Sequence, residues 1–216
     1  RLAAAVSNAG GLGLIGAGSM YPQVLREHIQ KCQQATDKPF GVNIPLLRKD
    51  ADELINVTLD EKIEIVFTSA GSPSKFIDKL KANNCKVVHV VSNIKHGLKA
   101  QNTGCDAVVG EGVEAGGHNG PDEITTFALI PQLSDALEIP VIAAGGIAEG
   151  RGILAALSLG AEGVQIGTRF AVTVESSASE IYKQAVCECG DNGTTLVLKK
   201  IGMARMLKNE FSKKEI

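Results

Sequence analysis

The sequence predicts an α/β fold, a parallel (β/α)8 TIM barrel of which strand 1 and the C-terminal segment are missing. Two observations carry that expectation. Short apolar runs alternate strictly with helical patterns, and such βα alternation implies parallel strands. The chain also opens on a helix: residues 1–9, RLAAAVSNA, read as helical up to Gly10, and a barrel helix needs a strand before it. Seven visible strands and the inferred one make eight. A complete barrel usually needs about 250 residues, against 216 here. An open doubly wound sheet is the competing parallel architecture, and the strand count favours the barrel. Residues 1–216 are therefore expected to form a single domain, incomplete at both ends.

The elements follow in order. Strands are expected at Gly13 to Ala17, Phe40 to Leu46, Ile63 to Ser69, Lys86 to Ser92, Ala107 to Glu111, Val141 to Ala144 and Gly163 to Ile166. Between the strands lie helical patterns: Leu25, Ile29 and Cys32 share a helix face after Pro22, and Ala51, Leu54, Ile55 and Leu59 do so after Asp50. Ser72-Pro73 opens a helix that buries Phe76, Ile77 and Leu80, and Ser92 can cap another that Gly104 closes. Phe127, Ile130 and Leu133 mark the helix before Pro140, and Ile153, Leu154 and Leu157 the one stopped by Gly160. Beyond Gly167 the pattern gives two more helical stretches, near Ser177 to Cys189 and Gly202 to Phe211, and no further strand.

Composition narrows the function. With 44% hydrophobic residues and 24 glycines, the chain can bury a substantial core. A formal charge of -2, without a long basic run, argues against nucleic acid or an anionic membrane as partner. Five cysteines without a CxxC pair suggest neither a disulfide framework nor a zinc site, so no metal is expected and a reduced cytoplasm fits. No apolar window is long enough to span a bilayer.

The chemistry concentrates in EGVEAGGHNG, residues 111–120, directly behind the apolar run Ala107-Val108-Val109. Adjacent glycines let backbone approach a flat or charged ligand, and His118 beside them can move a proton near neutral pH. Two later runs, AAGGIAEG at 143–150 and QIGTR at 165–169, occupy the loops that commonly hold a ligand phosphate in barrels. There Gly145 and Gly146 admit the phosphate oxygens, and Thr168 adds a hydroxyl donor. By contrast, Gly11, Gly13 and Gly16 spell a dinucleotide fingerprint but follow a helix instead of a strand, which argues for a turn.

Asn43, Ser69, Glu111 and Gln165 stand at expected strand ends, where a barrel gathers its active site. Glu111 and Glu114 flank one turn, either as an acid-base pair or as carboxylates bonded to backbone. Asp106 and Glu123 read as surface residues, and His28, His89 and His96 as ordinary helix or strand positions.

GVNI at 41–44, EAGGHNG at 114–120, PVIAAGGIAEG at 140–150 and QIGTRF at 165–170 together resemble the nitronate monooxygenase family. That family includes the 2-nitropropane dioxygenases and the flavin-dependent enoyl-acyl carrier protein reductases, both FMN barrels. The resemblance implies that Asn43, Gly116, Gly146 and Gln165, Ile166, Gly167 and Thr168 hold FMN, and that His118 is the catalytic histidine. It also implies a small-molecule or carrier-protein-bound substrate, with a homodimer compatible. Glu111 and TRFAVTVES at 168–176 look like the reductase branch, which would use NADH or NADPH; the monooxygenases carry Gln at the position of Glu111. A nitronate oxidase and a non-catalytic flavin-binding protein are the alternatives.

Overall fold

The structure is a computed structural model in which residues 1–214 are described. The chain divides into two compact units, Arg1–Val90 with Lys99–Val108, and Val91–Leu98 with Val109–Ile216. Its α/β architecture is that of a partial (β/α)8 barrel, with seven strands in chain order, as the sequence predicts.

In the first unit, α1 (Leu2–Asn8) precedes β1 (Gly13–Gly16), α2 (Pro22–Ala35) leads to β2 (Phe40–Pro45), and α3 (Ala51–Asp60) to β3 (Ile65–Ser69). A 3-10 turn (Pro73–Lys75) and α4 (Ile77–Ala82) then precede β4 (Lys86–Val91). β1 to β4 pair parallel with their sequence neighbours, with Ile15 opposite Val42, Val42 opposite Val66 and Val66 opposite Val87. Leu25 and Ile29 of α2 and Leu54 and Ile55 of α3 are fully buried against this layer. Burying each such side chain contributes about 1.5–3 kcal/mol.

Gly13 shows why the early glycine run is structural. A Cβ there would overlap the Ala3 carbonyl of α1, so the first helix packs directly on strand backbone. The buried Ser7 hydroxyl completes the turn, donating to the Pro39 carbonyl at 2.8 Å and accepting from the Gly13 N–H at 3.1 Å. His89 is also a core residue, its Nδ1 2.7 Å from the Thr68 hydroxyl across β3 and β4.

β4 at its last residue, Val91, and α5 (Ile94–Thr103) and β5 (Ala107–Glu111) each straddle the division. The second unit continues with the two-residue β6 (Gly117–His118), α6 (Thr126–Ala136), β7 (Val141–Ala144), α7 (Gly150–Ser158) and β8 (Gly163–Gln165). β5 neighbours β7, and β7 pairs parallel with β8, placing Ala144 opposite Gln165. Short α8 (Thr168–Ala171) and α9 (Glu180–Cys187) follow, and then β9 (Thr194–Val197), β10 (Ala204–Leu207) and α10 (Glu210–Lys214).

Several expectations are corrected. Residues 194–207 form an antiparallel hairpin, β9 with β10, which also pairs with β6, where helix or no strand was expected. Thr194, Thr195 and Val197 supply the β-branched residues that favour a strand, and Leu198 takes the positive φ at the turn. Asn93, not Ser92, caps α5, its side-chain oxygen accepting from the His96 N–H at 2.8 Å. Phe127 is exposed while Ile130 and Leu133 of the same helix are fully buried. As expected, α3 begins after Asp50, which holds the N-cap position without a side-chain cap bond because its carboxylate is held by Arg48 at 2.6 and 2.8 Å.

Candidate active site

In the first unit, the structure brings together two of the expected residues. Asn43 sits within β2 opposite Phe67, and Ser69 ends β3 two register positions further along the ladder, opposite Pro45. The Asn43 amide donates to the Ser69 hydroxyl at 3.3 Å, while its buried Oδ1 has no hydrogen-bond partner in the structure. A buried acceptor left open in this way costs about 1–3 kcal/mol unless a ligand or water supplies a donor.

The second unit assembles three loops. β5 ends at Glu111, and the chain then turns sharply, the Gly112 N–H bonding the Ala144 carbonyl at 2.9 Å. Glu114, Ala115 and the glycines follow, and the loop returns through β6 to lie opposite Arg205 and Ala204 of β10. A Cβ at Gly146 would stand 3.2 Å from the Glu114 side chain, and one at Gly116 would stand 3.1 Å from the Thr168 hydroxyl. The 112–117, 144–146 and 165–168 segments therefore converge. Gly145 and Gly146 have φ of +105° and +70°, a left-handed conformation that glycine adopts without strain. No atom lies within 4 Å of a Cβ built at Gly167, so that backbone faces open space.

His118 is exposed, held opposite Ala204 in the small sheet, with the neighbouring Asn119 N–H bonded to the Met203 carbonyl at 2.9 Å. The Asn119 side-chain amide closes the loop from inside, donating to Ala115 and Gly117 carbonyls at 2.9 and 3.0 Å. Arg205 adds a third tie, its Nε donating to the Val113 carbonyl at 2.9 Å. Sequence reading missed Arg205 because its tie to Val113 depends on a hairpin that brings residues 92 positions apart together, whereas the Asn119 bonds are local to the glycine run.

The two glutamates separate. Burial pushes the Glu111 carboxyl up to about 7, and no neighbouring charge contributes to that shift. Glu114 is committed to the start of α6, accepting from the Thr126 N–H at 2.9 and 3.1 Å. An acid-base pair is thus not formed. Asp106 is not simply a surface residue, because its carboxylate accepts from the Val87 N–H at 2.7 Å and from Lys81 at 2.6 Å. Glu123 pairs with Lys199 at 2.6 Å on the surface. Gln165 and Ile166 are half-buried at the end of β8, and no three-residue cluster suited to a metal ion occurs among the described residues.

A family model described as nitronate monooxygenase matches residues 1–57 and 52–215. The chain belongs to the nitronate monooxygenase family. Members of this family are flavin-dependent oxidoreductases. FabK from Thermotoga maritima is 48% identical, with a TM-score of 0.95 over 99% of this chain and 68% of its own. A Rhodococcus jostii protein named (3aS,4S,5R,7aS)-5-hydroxy-7a-methyl-1-oxo-octahydro-1H-indene-4-carboxyl-CoA dehydrogenase is 40% identical over 97% of this chain. This chain spans only 59% of that relative's length. A probable nitronate monooxygenase from Staphylococcus aureus strain Newman is 33% identical, over 98% of this chain and 72% of its own. Within the nitronate monooxygenase family, then, relatives with thioester and nitronate names both match nearly the whole chain. Among the described residues no helix is long and apolar enough to cross a membrane.

Proposed function

We propose that this chain carries the FMN-binding and proton-handling part of an enoyl-thioester reductase that draws on NADH or NADPH. The observation that carries the reading is the convergence of the Glu114–Gly117, Ala144–Gly146 and Gln165–Thr168 segments around two left-handed glycines. The residues present fit the flavin. Gly145, Gly146 and Gly167 leave backbone bare for a phosphate. The open Asn43 oxygen suits a ring N–H donor. Ser69, bonded to Asn43, fixes that amide's orientation; within the second unit, Gly116 and Thr168 would border a phosphate held by the glycine loop. One phosphate-sized cradle favours FMN over FAD.

Bound FMN would supply the centre that takes up and gives back hydride. His118 would deliver, or organise, the proton that reaches the substrate α-carbon as the β-carbon is reduced. Glu111, with its proton held to about pH 7, can donate as well as accept a hydrogen bond at neutral pH. Thioester substrates are supported by the FabK match and by the coenzyme A thioester in the Rhodococcus relative's name. The carrier would be acyl carrier protein or coenzyme A, and five free thiols agree with a reducing cytoplasm. The second reading, nitronate oxidation with O2, is favoured by the Staphylococcus relative's name. There His118 would remove a carbon proton from a nitroalkane or hold the nitronate.

Anaerobic half-reactions of the full chain separate these. NADH or NADPH should bleach the flavin absorbance, and crotonyl thioester should restore it. His118→Ala should bleach at the wild-type rate but recover about 10² to 10⁴ times more slowly. Bleaching by an alkyl nitronate alone would establish the second reading, and a flavin spectrum that neither reductant changes would mark a non-catalytic binding protein.

A further inference from the structure

Thr126, the first residue of α6, is nearly buried and lies against the proposed phosphate loop. Its Oγ1 is 3.1 Å from the Ala144 carbonyl oxygen and 2.9 Å from that of Gly145. Two consecutive carbonyls thus point at one hydroxyl. In a planar trans peptide the C=O and the following N–H point in opposite directions, and no cis peptide occurs in the described residues. The Gly145 and Gly146 N–H groups are thereby turned together away from Thr126. Successive amides aimed to one side form an anion-binding nest, and the positive φ of Gly145 permits that arrangement.

Glu114 holds the hydroxyl in place from the other flank. Its carboxylate takes the Thr126 N–H and also lies 3.1 Å from Thr126 Oγ1. The hydroxyl has one proton for three acceptors, and the Gly145 oxygen is the nearest. We infer that Thr126, fixed by Glu114, is a positioning residue that orients the Gly145 and Gly146 amides to receive the flavin phosphate. This rests on the phosphate cradle proposed above. Neither residue touches the ligand in this role; both act through the loop.

The test compares FMN with riboflavin, which lacks the phosphate, by fluorescence titration of the apo form of the full chain. Thr126→Val removes the hydroxyl at nearly constant shape. It should lower FMN affinity by about tenfold, the upper range for one lost hydrogen bond, and leave riboflavin affinity unchanged. Thr126→Ser, which keeps the hydroxyl, should restore FMN binding. If Thr126→Val does not fold, Glu114→Gln is read the same way and should reduce FMN affinity alone. An equal loss for both flavins, or no loss for FMN, would overturn the inference. Equal wild-type affinity for FMN and riboflavin would instead remove the phosphate cradle itself, and the inference with it.

Discussion

Glu111 is a carboxyl that burial moves well out of its ordinary range. Burial raises its carboxyl from an ordinary 4.5 to about 7, so the folded state holds a proton that the unfolded state releases. An acid raised in this way is neutral without penalty below its unfolded pKa and costs stability as pH rises towards 7. The full cost is of order 3 kcal/mol, from about 1.4 kcal/mol per unit. Melting temperature should therefore fall as pH rises from about 5 to 8, and Glu111→Gln should flatten that slope. Parallel curves for wild type and variant would show that Glu111 is not desolvated. The glutamate was visible in the sequence as a residue at a strand end, but its solitude was not. Only folding shows that Glu114 has turned away to serve α6.

At the scale of elements, Asp106 shows how a connection can fix a strand. It stands just before β5, and burial alone would raise its pKa, yet Lys81 and the Val87 N–H hold it below the ordinary value. The same carboxylate ties the end of α4 and the start of β4 to the approach of β5. With its side chain about a quarter exposed, Asp106→Ala should cost about 1–2 kcal/mol in urea unfolding at pH 7. A depressed acid contributes above its unfolded pKa and loses that contribution as pH falls through the folded value. The difference between wild type and variant should accordingly shrink below about pH 4. A difference that persisted undiminished in acid would assign the effect to packing. The seven parallel strands were legible because apolar runs bounded by glycine, proline and caps have few other readings; Ala107–Glu111 and Val141–Ala144 match to the residue. The β9–β10 hairpin was not legible, because its strands are only four residues each and lack a clean alternation, and Lys199 and Lys200 fall in the turn between them. Its role in bracing His118 depends on pairing with β6, far away in sequence.

For the whole molecule, glycine placement unites fold and proposed chemistry. Gly13 lets α1 lie on β1, whereas Gly145 and Gly146 turn backbone towards a proposed phosphate, and sequence alone distinguishes the two by what precedes each pair. The first run follows a helix and the second follows a strand. The proposed cofactor loops were therefore readable, while Thr126 and Arg205, which hold them, sit in segments without a recognisable motif. The central claim is that the Gly145–Gly146 loop receives the phosphate of FMN, and flavin retention by the full chain tests it most directly. Gly146→Asp puts a carboxylate at the loop, and aspartate, like asparagine, tolerates a left-handed φ better than most residues. Wild type should retain FMN, Gly146→Asn much of it, and Gly146→Asp almost none; a Gly146→Asp protein with wild-type flavin content would contradict the account.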